Sequence, residues 1–517
     1  MEGKAFIPLI LFLFCALSLK VQERFNIGDR EFVKENGIWY QIESGVKFRL
    51  NHRVITVKFK EGVPESKVQN FNRQNGVRVL RKNKIGFVDL EIPSKSDPIK
   101  MVQLYLSSGL VEVAEPNTFG IFLGFPNDSL FVYQWNLNQQ NDADIDAPEA
   151  WDIKTGRSSV VVGVLDSGTD WGHEDLDENI WRNPGEDSWS NPNDPNSGNG
   201  VDDDGNGFVD DWKGWDFANN NNDSRGPFWH GTSIAGICGA ETNNDTGVAG
   251  IAGGWSGTGA KLLICQVGDW MPDGSVVDDA ILYAVETGAR IINMSFSIGQ
   301  NPAVDAAIQF AYEQYECVLI AASGNSGGAV SYPAKHSCVI AVGATDSNDI
   351  RPEWSNHGPE LEVVAPGVEI LSTRPNSNYS SQNTDTSFTA PHVSGIVALL
   401  LSTNPDLTPD EIREIMQSTV EDKGEPRFDE YYGYGRVNAY KALKYALEHY
   451  GGMITKSFTI PPGETWTFQP GVTLKFADDV SLTVNGVVTV QGTSTEPIIF
   501  TSSSSQSLAR LLVWNSG

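Results

Sequence analysis

Short, continuous apolar runs recur between residues 126 and 450 and alternate with runs of helical periodicity. The apolar runs are SVVVGVLD, KLLICQVGD, ARIINMSFS, CVLIAAS and CVIAVGA. Such runs are typical of strands buried on both faces of a parallel sheet. A longer run, APHVSGIVALLLS, is apolar on nearly all sides and predicts a helix buried through the centre of the domain. The pattern predicts an α/β domain, with a parallel sheet covered by helices on both faces.

A smaller unit precedes this domain over residues 50–120. Its pattern is strand VITVKFK, helix ESKVQNFNRQNG, strands within VRVLRKNKIGFVDLEI, helix DPIKMVQLYLSSGLV and strand VEVAEPN. This βαββαβ order is typical of a ferredoxin-like α+β fold. A linker rich in Gly, Phe, Pro and Asn follows it, so we predict a separate small domain.

After Tyr450 the pattern changes to two-residue alternation of Thr and Val with Gly, and no helical periodicity remains. This predicts an all-β segment over residues 451–517. Its short strands are those of either the first coils of a β-helix or the edge of a sandwich, and they resemble β-helix repeats of secreted surface proteins. We therefore expect it to contact a cell surface or a polysaccharide. The final LLVWNSG offers no obvious cap, so we expect the segment to be incomplete.

The charge balance excludes two classes of partner. The chain has 66 acidic and 37 basic residues and a net charge of −29, which opposes binding to nucleic acid or an anionic membrane surface. An early Lys followed by an apolar run predicts a secretory signal peptide over residues 1–18, cleaved after Ser18. The alternative is a membrane anchor, but the run is short for one, and no other run is long enough to span a bilayer. We expect a secreted, extracellular protein.

Cysteine usage fits export. Cys15 lies within the signal peptide, which leaves four cysteines in the mature chain. Cys317 and Cys338 each begin a predicted strand, so they could face each other across neighbouring strands if those strands pair; the sequence leaves the disulfide pairing open. Cys238 and Cys265 lie in apolar runs and are predicted to be buried, unreactive thiols.

Four polar residues stand where strands end or helices begin. Asp166 ends the run SVVVGVLD, His230 begins the helix of HGTSIAGICGA, and Ser387 lies within TSFTAPHVSG. A serine becomes nucleophilic beside an imidazole base, and the imidazole needs a carboxylate to orient it. Asn325, in AASGNSGG, follows a further strand and would donate its amide N–H to an oxyanion. A lone Ser before an apolar run is more often a helix cap, but four such positions in one domain indicate a hydrolase.

The motifs DSGTD, HGTSIAG, INMSFS, AASGNSG, YPA and TSFTAPHVSG resemble those of subtilisin-family serine proteases, the subtilases. The resemblance implies that Asp166 orients His230, that His230 is the general base and acid, and that Ser387 attacks the peptide. It also implies that Asn325 and the Ser387 N–H stabilise the oxyanion. The unit at 50–120 resembles the family's propeptide, an inhibitor and chaperone that is removed by self-cleavage. We place that cleavage between Asn117 and Tyr133.

Two residues depart from the family pattern. Ser233 replaces a second His and is not expected to touch the reacting groups. Asp385 replaces a Gly beside Ser387. It is either a capping carboxylate or a charge that raises the pKa of His230. It also keeps open the alternative that the chain is a weakened or inactive relative that binds other molecules through its β-rich tail.

Substrate contacts are expected in two segments. Residues 295–299, SFSIG, resemble the edge strand with which the family pairs its peptide substrate. Side chains from this segment and from AVSYPA would line the first specificity pocket. No acidic residue lies at the matching positions, so we predict a medium or large apolar side chain in the substrate, rather than Lys or Arg. The residues expected to bind substrate are Ser295, Phe296, Ser297 and Ser331.

The insertion between Asp166 and His230 contains GNGVDDDGNGFVDDWKGWDF. Asp202, Asp204 and Asn206 alternate before Gly207, like the first half of an EF-hand loop, and Asp210 follows in the same loop. The alternative is a solvated acidic loop, but oxygen ligands that repel each other favour a structural Ca²⁺. The family resemblance implies a second Ca²⁺ site from Asp175, Asn244 and the carbonyls of Thr242, Thr246 and Val248.

Overall fold

The computed structural model describes residues 23–27, 30–35, 38–43, 46–118, 125–255, 257–478, 480–503 and 510–513. These residues belong to two compact units, one within residues 1–123 and one within residues 124–517. The predicted signal peptide, residues 1–18, lies outside the described residues, as does the middle of the stretch in which we place the propeptide cleavage. None of the helices in the described ranges is long and apolar enough to cross a membrane.

The N-terminal unit contains the predicted βαββαβ order. Its last four strands lie in the order β7-β4-β6-β5, all antiparallel to their neighbours, as in a ferredoxin-like sheet. Three further strands, β1–β3, were not predicted; they extend this sheet in the antiparallel order β1-β2-β3-β4, in which only β3 pairs with the long β4. The elements are β1 Glu23–Ile27, β2 Arg30–Glu35, β3 Ile38–Glu43, β4 Val46–Phe59, α1 Glu65–Gln74, β5 Arg78–Lys82, β6 Phe87–Glu91, α2 Pro98–Ser107 and β7 Val111–Thr118.

One carboxylate links the two parts of this unit. Asp97 caps α2 by accepting the N–H groups of Ile99 and Lys100, and its other oxygen accepts the Trp39 indole N–H at 2.9 Å. Capping satisfies N–H groups that a helix start leaves free. Because Trp39 lies on β3, Asp97 connects the start of α2 with the added strands.

The larger unit is built on a seven-stranded parallel sheet in the order β14-β13-β12-β11-β8-β10-β9. The predicted α/β class, with helices on both faces, is confirmed. The elements are α3 Ala147–Ile153, β8 Val161–Asp166, β9 Trp215–Asp216, α4 His230–Gly239, β10 Lys261–Gln266, α5 Val277–Glu286, β11 Ile291–Met294, α6 Pro302–Tyr315, β12 Val318–Ala322, β13 Val339–Thr345, β14 Val363–Pro366, β15 Ile370–Arg374, β16 Asn378–Asn383, α7 Ala390–Thr403, α8 Pro409–Ser418 and α9 Ala439–His449.

Each face of the parallel sheet packs against its own hydrophobic cluster. Helices α3, α4, α7 and α9 contribute to one cluster, and α5 and α6 contribute to the other. Every residue of α7 is buried, as the apolar run predicts. Burial on both faces explains why the strands are continuously apolar.

The C-terminal strands form stacked coils of a parallel β-helix. Each strand pairs in parallel with the strand one coil later, which gives three narrow sheets: β17-β20-β23, β18-β21-β24 and β19-β22. Of the two alternatives left open by the sequence, the β-helix is therefore the one found. The strands are β17 Gly452–Ile454, β18 Phe458–Ile460, β19 Thr465–Phe468, β20 Thr473–Phe476, β21 Ser481–Val484, β22 Val487–Val490, β23 Ile499–Ser502 and β24 Arg510–Val513.

The first coil packs directly on α9. Trp466 and Phe468 point into the coil and belong to the same hydrophobic cluster as α9. The Gln469 N–H donates to the Glu448 carbonyl at 2.8 Å, and the Glu448 carboxylate accepts the Thr467 N–H. The β-helix is thus continuous with the core of the larger unit.

No disulfide joins Cys317 and Cys338, because both thiols are free. The strands do pair, but Leu319 lies opposite Val339. Extending that register places Cys338 opposite Val318, one residue away from Cys317. Cys338 lies in the turn before β13 rather than within the strand, so the strand pairing does not bring its thiol onto that of Cys317. Cys238 and Cys265 are buried free thiols, as predicted.

Candidate active site

A carboxylate and an imidazole meet at the carboxyl edge of the sheet. Asp166 is the last residue of β8 and His230 is the first residue of α4. Their contact, His230 Nδ1 to Asp166 Oδ1, is 2.8 Å long, and Asp166 Oδ1 also accepts the Ser167 N–H at 2.7 Å. An Nδ1 bonded to a carboxylate leaves Nε2 as the nitrogen that can take a proton from a nucleophile.

A close backbone approach holds these two elements together. A Cβ added at Gly231 would lie 2.2 Å from the Gly168 carbonyl oxygen. Only glycine therefore lets the start of α4 lie against the loop that follows β8. The Ser167 hydroxyl accepts the Gly231 N–H at 3.1 Å and closes the same contact.

Ser387 lies beside this pair in a short 3₁₀ turn, Thr386–Phe388, that leads into α7. The ring of its neighbour Phe388 packs 5.5 Å from the His230 ring. Among the described residues, no hydrogen bond joins the Ser387 hydroxyl to His230. Such contacts are often loose in free enzymes and tighten when substrate binds.

The side chain of Ser295 supports the Ser387 backbone. It is buried, and its hydroxyl donates to the Ser387 carbonyl at 2.7 Å. Asn293 donates to the Ser295 hydroxyl at 2.9 Å and accepts from Ser394 on α7 at 3.0 Å. This series of hydrogen bonds fixes the Ser387 backbone between β11 and α7.

Asn325 reaches the same position from the end of β12. Its Oδ1 accepts both the N–H and the hydroxyl of Thr386, each at 2.8 Å. The side-chain amide is thereby oriented with its N–H groups free of these bonds. This arrangement suits a donor to an oxyanion next to Ser387.

The Ser387 N–H, which was expected to bind the oxyanion, donates to Asp385 instead. Asp385 Oδ1 accepts this N–H at 2.7 Å, and Asp385 is the N-cap of the turn. Without substrate, one of the two expected oxyanion donors is therefore already hydrogen-bonded to a carboxylate. Of the two roles considered for Asp385, this geometry is that of the helix-capping carboxylate.

The charges around His230 combine to raise its pKa above the usual value. Burial acts to lower the pKa, but the Asp166 carboxylate and its hydrogen bond raise it, and the Asp385 charge raises it further. The Arg374 guanidinium acts in the opposite direction. Asp385 thus has the predicted electrostatic effect in addition to its capping role.

Aromatic rings enclose His230 on two sides. The Phe228 ring lies parallel to the imidazole at 6.1 Å, and Trp229 and Phe388 pack at 5.8 and 5.5 Å. Arg374 lies over the Trp229 ring, 3.2 Å from its centroid. Neither Trp229 nor Arg374 was predicted, since no local pattern connects β15 with the start of α4.

A cleft of about 240 Å³ opens beside His230 on the Phe228 side. Trp270 and Met271 are 68% and 80% exposed, so large apolar surface faces solvent there. Phe296 and Ser297 line this cleft, as expected of the segment 295–299. The full lining is Asp166, Ser167, Phe228, His230, Val267, Gly268, Trp270, Met271, Pro272, Ser295, Phe296 and Ser297.

Ser331 lies next to Asn325 rather than in this cleft. Its hydroxyl accepts from Asn356 at 3.1 Å, and a Cβ added at Gly324 would meet that hydroxyl at 2.4 Å. The Ile298 N–H donates to the Tyr332 carbonyl at 2.9 Å, so the two expected substrate segments are neighbours. Ser233, which departs from the family pattern, points away from the reacting groups, because its hydroxyl donates to the Thr373 carbonyl.

Three carboxylates come together in the acidic insertion. One oxygen from each of Glu186, Asp202 and Asp204 lies within 4.8 Å of the others. Glu186 was not predicted, and its Oε2 is buried without a hydrogen-bond partner. Asn206 donates to Asp204, at 3.4 Å. Asp210 is not part of this group. Its Oδ2 accepts the Gly200 N–H at 2.9 Å, and its Oδ1 is buried without a hydrogen-bond partner.

The second predicted metal site is centred on buried carboxylates. Asp175 accepts hydrogen bonds from Asn244 Nδ2 and from the Val248 N–H, both at 2.8 Å. Thr246 donates its N–H to Asn244, and the Thr242 hydroxyl donates within the same loop. Asp128, which was not predicted, is also buried here, and its Oδ1 has no partner. Burial raises the pKa of Asp128 to about 6 and that of Asp175 to about 7.

The parallel sheet and the group at its carboxyl edge define a serine hydrolase of the α/β class. The chain belongs to the subtilase family, peptidase S8, which matches residues 157–435, and residues 50–117 match the fervidolysin N-terminal prodomain. It is therefore a serine endopeptidase with an N-terminal prodomain, consistent with a zymogen. The resemblance stated from the motifs is confirmed.

Curated relatives support this assignment over most of the chain. The chain is 32% identical over 400 residues to the thermophilic serine proteinase of Bacillus sp. (strain AK1), covering 76% of this chain and 87% of the relative. It is 34% identical over 325 residues to thermitase of Thermoactinomyces vulgaris, covering 62% and 99%. It is 33% identical over 395 residues to the halolysin-like extracellular serine protease Nep of Natrialba magadii, covering 75% and 65%.

Proposed function

We propose that the protein is a secreted serine endopeptidase that cleaves peptide bonds through Asp166, His230 and Ser387. The observation that carries this proposal is the 2.8 Å contact between His230 and Asp166 beside Ser387. The Ser387 hydroxyl attacks the peptide carbonyl while His230 Nε2 accepts its proton and then passes it to the leaving amine. Asp166 orients the ring and stabilises its cation.

Asn325 is the principal oxyanion donor in this proposal. Its amide is oriented by Thr386, whereas the Ser387 N–H is held by Asp385 until the substrate displaces that carboxylate. Preorganised donors in a site of low dielectric are among the largest contributions to catalysis. A carboxylate near the developing oxyanion opposes the reaction, so Asp385 slows turnover compared with a neutral residue.

The substrate is an extended peptide that pairs with residues 295–299. The cleft beside His230 has aromatic and aliphatic walls, and its one carboxylate, Asp166, is bonded to His230. We therefore propose a preference for apolar side chains before the scissile bond and no preference for Lys or Arg. Ser297 lines this cleft, whereas Ser331 would contact the substrate from beside Gly324, outside the cleft.

The prodomain acts as the enzyme's own inhibitor and is removed by self-cleavage. The match of residues 50–117 to a subtilase prodomain supports this role. The relatives that are described as extracellular support secretion, for which residues 1–18 are the proposed signal.

Structural Ca²⁺ fits both acidic sites. Glu186, Asp202 and Asp204 would hold one ion, with Asn206 as an adjacent oxygen donor. Asp128 and Asp175 would hold a second ion, together with Asn244 and the carbonyls of the loop that contains Thr242, Thr246 and Val248. Buried carboxyls with raised pKa values, and the unpaired oxygens of Glu186 and Asp128, are what a hard cation would neutralise.

The test is hydrolysis of a fluorogenic peptide with an apolar residue before the scissile bond. Ser387→Ala should abolish turnover, and Asn325→Ala should lower kcat by about 10²–10³-fold, the loss typical of one oxyanion donor. Asn348→Ala, an exposed change in a distant loop, is the control. Full folding with no activity in the wild type would instead favour the alternative, a binding protein that acts through its β-helix, with Asp385 blocking the oxyanion site.

A further inference from the structure

A basic cleft lies where the larger unit's α3 meets the first coil of the β-helix. It has a volume of about 410 Å³. Lys154 caps the end of α3, whereas Thr455 and Lys456 come from the loop between β17 and β18. The lining residues are Ile153, Lys154, Thr155, Gly156, Arg157, Ser158, Thr258, Met453, Thr455 and Lys456.

Lys154 is a buried cation that lacks a counter-ion. It is 6% exposed, and its Nζ donates to the Thr455 hydroxyl at 2.9 Å. No carboxylate forms an ion pair with it among the described residues. Burial, and then the positive charge of Arg157, lower the pKa of Lys154 to about 8. Buried charges are normally paired, because leaving water without a partner is costly.

The other two cations of the cleft differ in how they are neutralised. Lys456 donates to the Trp151 carbonyl at 3.0 Å, lies 3.9 Å from Asp152 Oδ1 and stands over the Trp255 ring. Arg157 is exposed and makes no ion pair with any residue in the described ranges. The cleft thus holds two cations that are not neutralised, in a chain whose net charge is −29.

We propose that the basic cleft binds a small oxyanion, of the phosphate or sulfate type. Lys154 Nζ and the Arg157 guanidinium would donate to it, and the hydroxyls of Ser158 and Thr258 line the same space. Charge-assisted bonds of this kind are the strongest available to an oxyanion. The excess negative charge of the protein repels long polyanions, so the ligand is a small ion.

Such an ion would bridge two parts of the larger unit. Arg157 and Lys154 belong to the segment that leads into β8, while Thr455 and Lys456 belong to the first coil of the β-helix. A ligand that binds only the folded protein raises stability by mass action. The bound ion would therefore strengthen the attachment of the β-helix.

The test is calorimetric titration of the full Ser387→Ala chain with inorganic phosphate, at an ionic strength held constant with sodium chloride. The Ser387→Ala background prevents self-digestion. We expect saturable binding and a higher unfolding temperature with phosphate. Arg157→Gln should weaken the affinity at least about tenfold, since it removes one charged donor. Lys475→Gln, an exposed change outside the cleft, should leave it unchanged.

Lys154→Met is a second variant, which removes the buried charge and keeps the length of the side chain. It should fold with unchanged or higher stability in chloride and lose the response to phosphate. Absence of saturable binding to the parent chain in the millimolar range would overturn the proposal, as would equal affinities in the parent and Arg157→Gln chains. Retention on dextran sulfate but not on dextran, lost in Arg157→Gln, would overturn the restriction to small ions.

Discussion

The carboxylate of Asp385 acts on two groups of the proposed reaction centre. One of its oxygens accepts the Ser387 N–H at 2.7 Å, and its charge raises the pKa of His230. Both effects follow from one residue two positions before the nucleophile. Variants at this position can separate them.

Asp385→Asn removes the charge and keeps an oxygen for the Ser387 N–H. A negative charge stabilises the imidazolium, so its loss lowers the pKa of His230, and the neutral base is then present at lower pH. We expect the acid limb of kcat/KM to move to lower pH, measured at low salt. An acid limb that does not move would leave Asp385 with a capping role only.

Asp385→Gly also frees the Ser387 N–H. If that N–H then reaches the oxyanion, kcat above the acid limb should rise beyond that of Asp385→Asn, by up to about 10²-fold. The loss of the cap should cost only a few tenths of a kcal/mol, because Gly is itself tolerated at this position. Equal kcat values for the Gly and Asn variants would mean that the Ser387 N–H does not limit turnover.

Arg374→Gln should have the opposite effect on the pH profile. Arg374 lowers the pKa of His230, so removing its charge raises that pKa and moves the acid limb to higher pH. Gln retains a polar group that can donate to Asn383, as Arg374 does at 2.6 Å. A shift in the same direction as that of Asp385→Asn would contradict the charge assignment around His230.

The sequence predicted the four residues of the proposed reaction centre, but not the contacts of Asp385 and Arg374 around them. Asp166, His230, Asn325 and Ser387 each follow a strand or begin a helix, and those positions converge at the edge of a parallel sheet. The partner of the Ser387 N–H depends on the side-chain direction of Asp385, which spacing does not reveal. Arg374 reaches Trp229 only through the packing of β15 on α4.

At the scale of elements, the first acidic site was predicted from local spacing and the second from the family resemblance, and each has a further carboxylate from a distant segment. Asp202 and Asp204 alternate in a recognisable pattern, but Glu186 comes from an earlier turn with no such pattern. Asp128 likewise approaches Asp175 from before α3. Ligands from separate segments leave no periodic signal in the sequence.

Chelation should destabilise the protein more at pH 8 than at pH 5. Without metal, the raised pKa values of Asp128 (about 6) and Asp175 (about 7) mean that their stabilising contribution is present below pH 4 and lost as pH rises through those values. Ca²⁺ needs the ionised carboxylates, so its benefit grows over the same window. At 100-fold excess over Kd it adds about 2.7 kcal/mol. Unfolding temperatures with chelator and with millimolar Ca²⁺ that differ equally at both pH values would contradict this.

Glu186→Gln compared with Asp210→Asn tests the composition of the first site. Only Glu186 belongs to the three-carboxylate group, so its variant should lose Ca²⁺-dependent stabilisation. Asp210→Asn should keep it, because Asp210 lies outside that group. If both variants lost Ca²⁺ binding equally in calorimetric titrations, Asp210 would also be a ligand of the ion.

At the scale of the whole molecule, the order of strands and helices predicted both folded units. In the larger unit, burial of the sheet on both faces also leaves continuous apolar runs. Strands β1–β3 were missed, since REFVKE and IWYQIE mix charged and apolar residues. The β-helix was left as one of two alternatives, because its coils are recognised by parallel stacking rather than by periodicity within a strand. No disulfide joins Cys317 and Cys338, because Cys338 lies in the turn before β13 and not in the paired strand.

Self-processing is the prediction that belongs to this scale. Wild-type protein should shorten on folding by removal of the region before Tyr133, whereas Ser387→Ala should stay full length. N-terminal sequencing of both, expressed in a host without other secreted proteases, measures the difference. Equal processing would show that another protease removes the prodomain.

Labelling by a fluorophosphonate probe tests the central claim most directly, namely that Ser387 is a nucleophile activated by His230. The probe modifies activated serine hydroxyls, and the modified residue is identified by peptide mass spectrometry. We predict labelling of the mature protein at Ser387 alone, absent in Ser387→Ala and strongly reduced in His230→Ala. Folded, processed protein that is not labelled, or is labelled equally in the Ser387→Ala variant, would contradict the assignment.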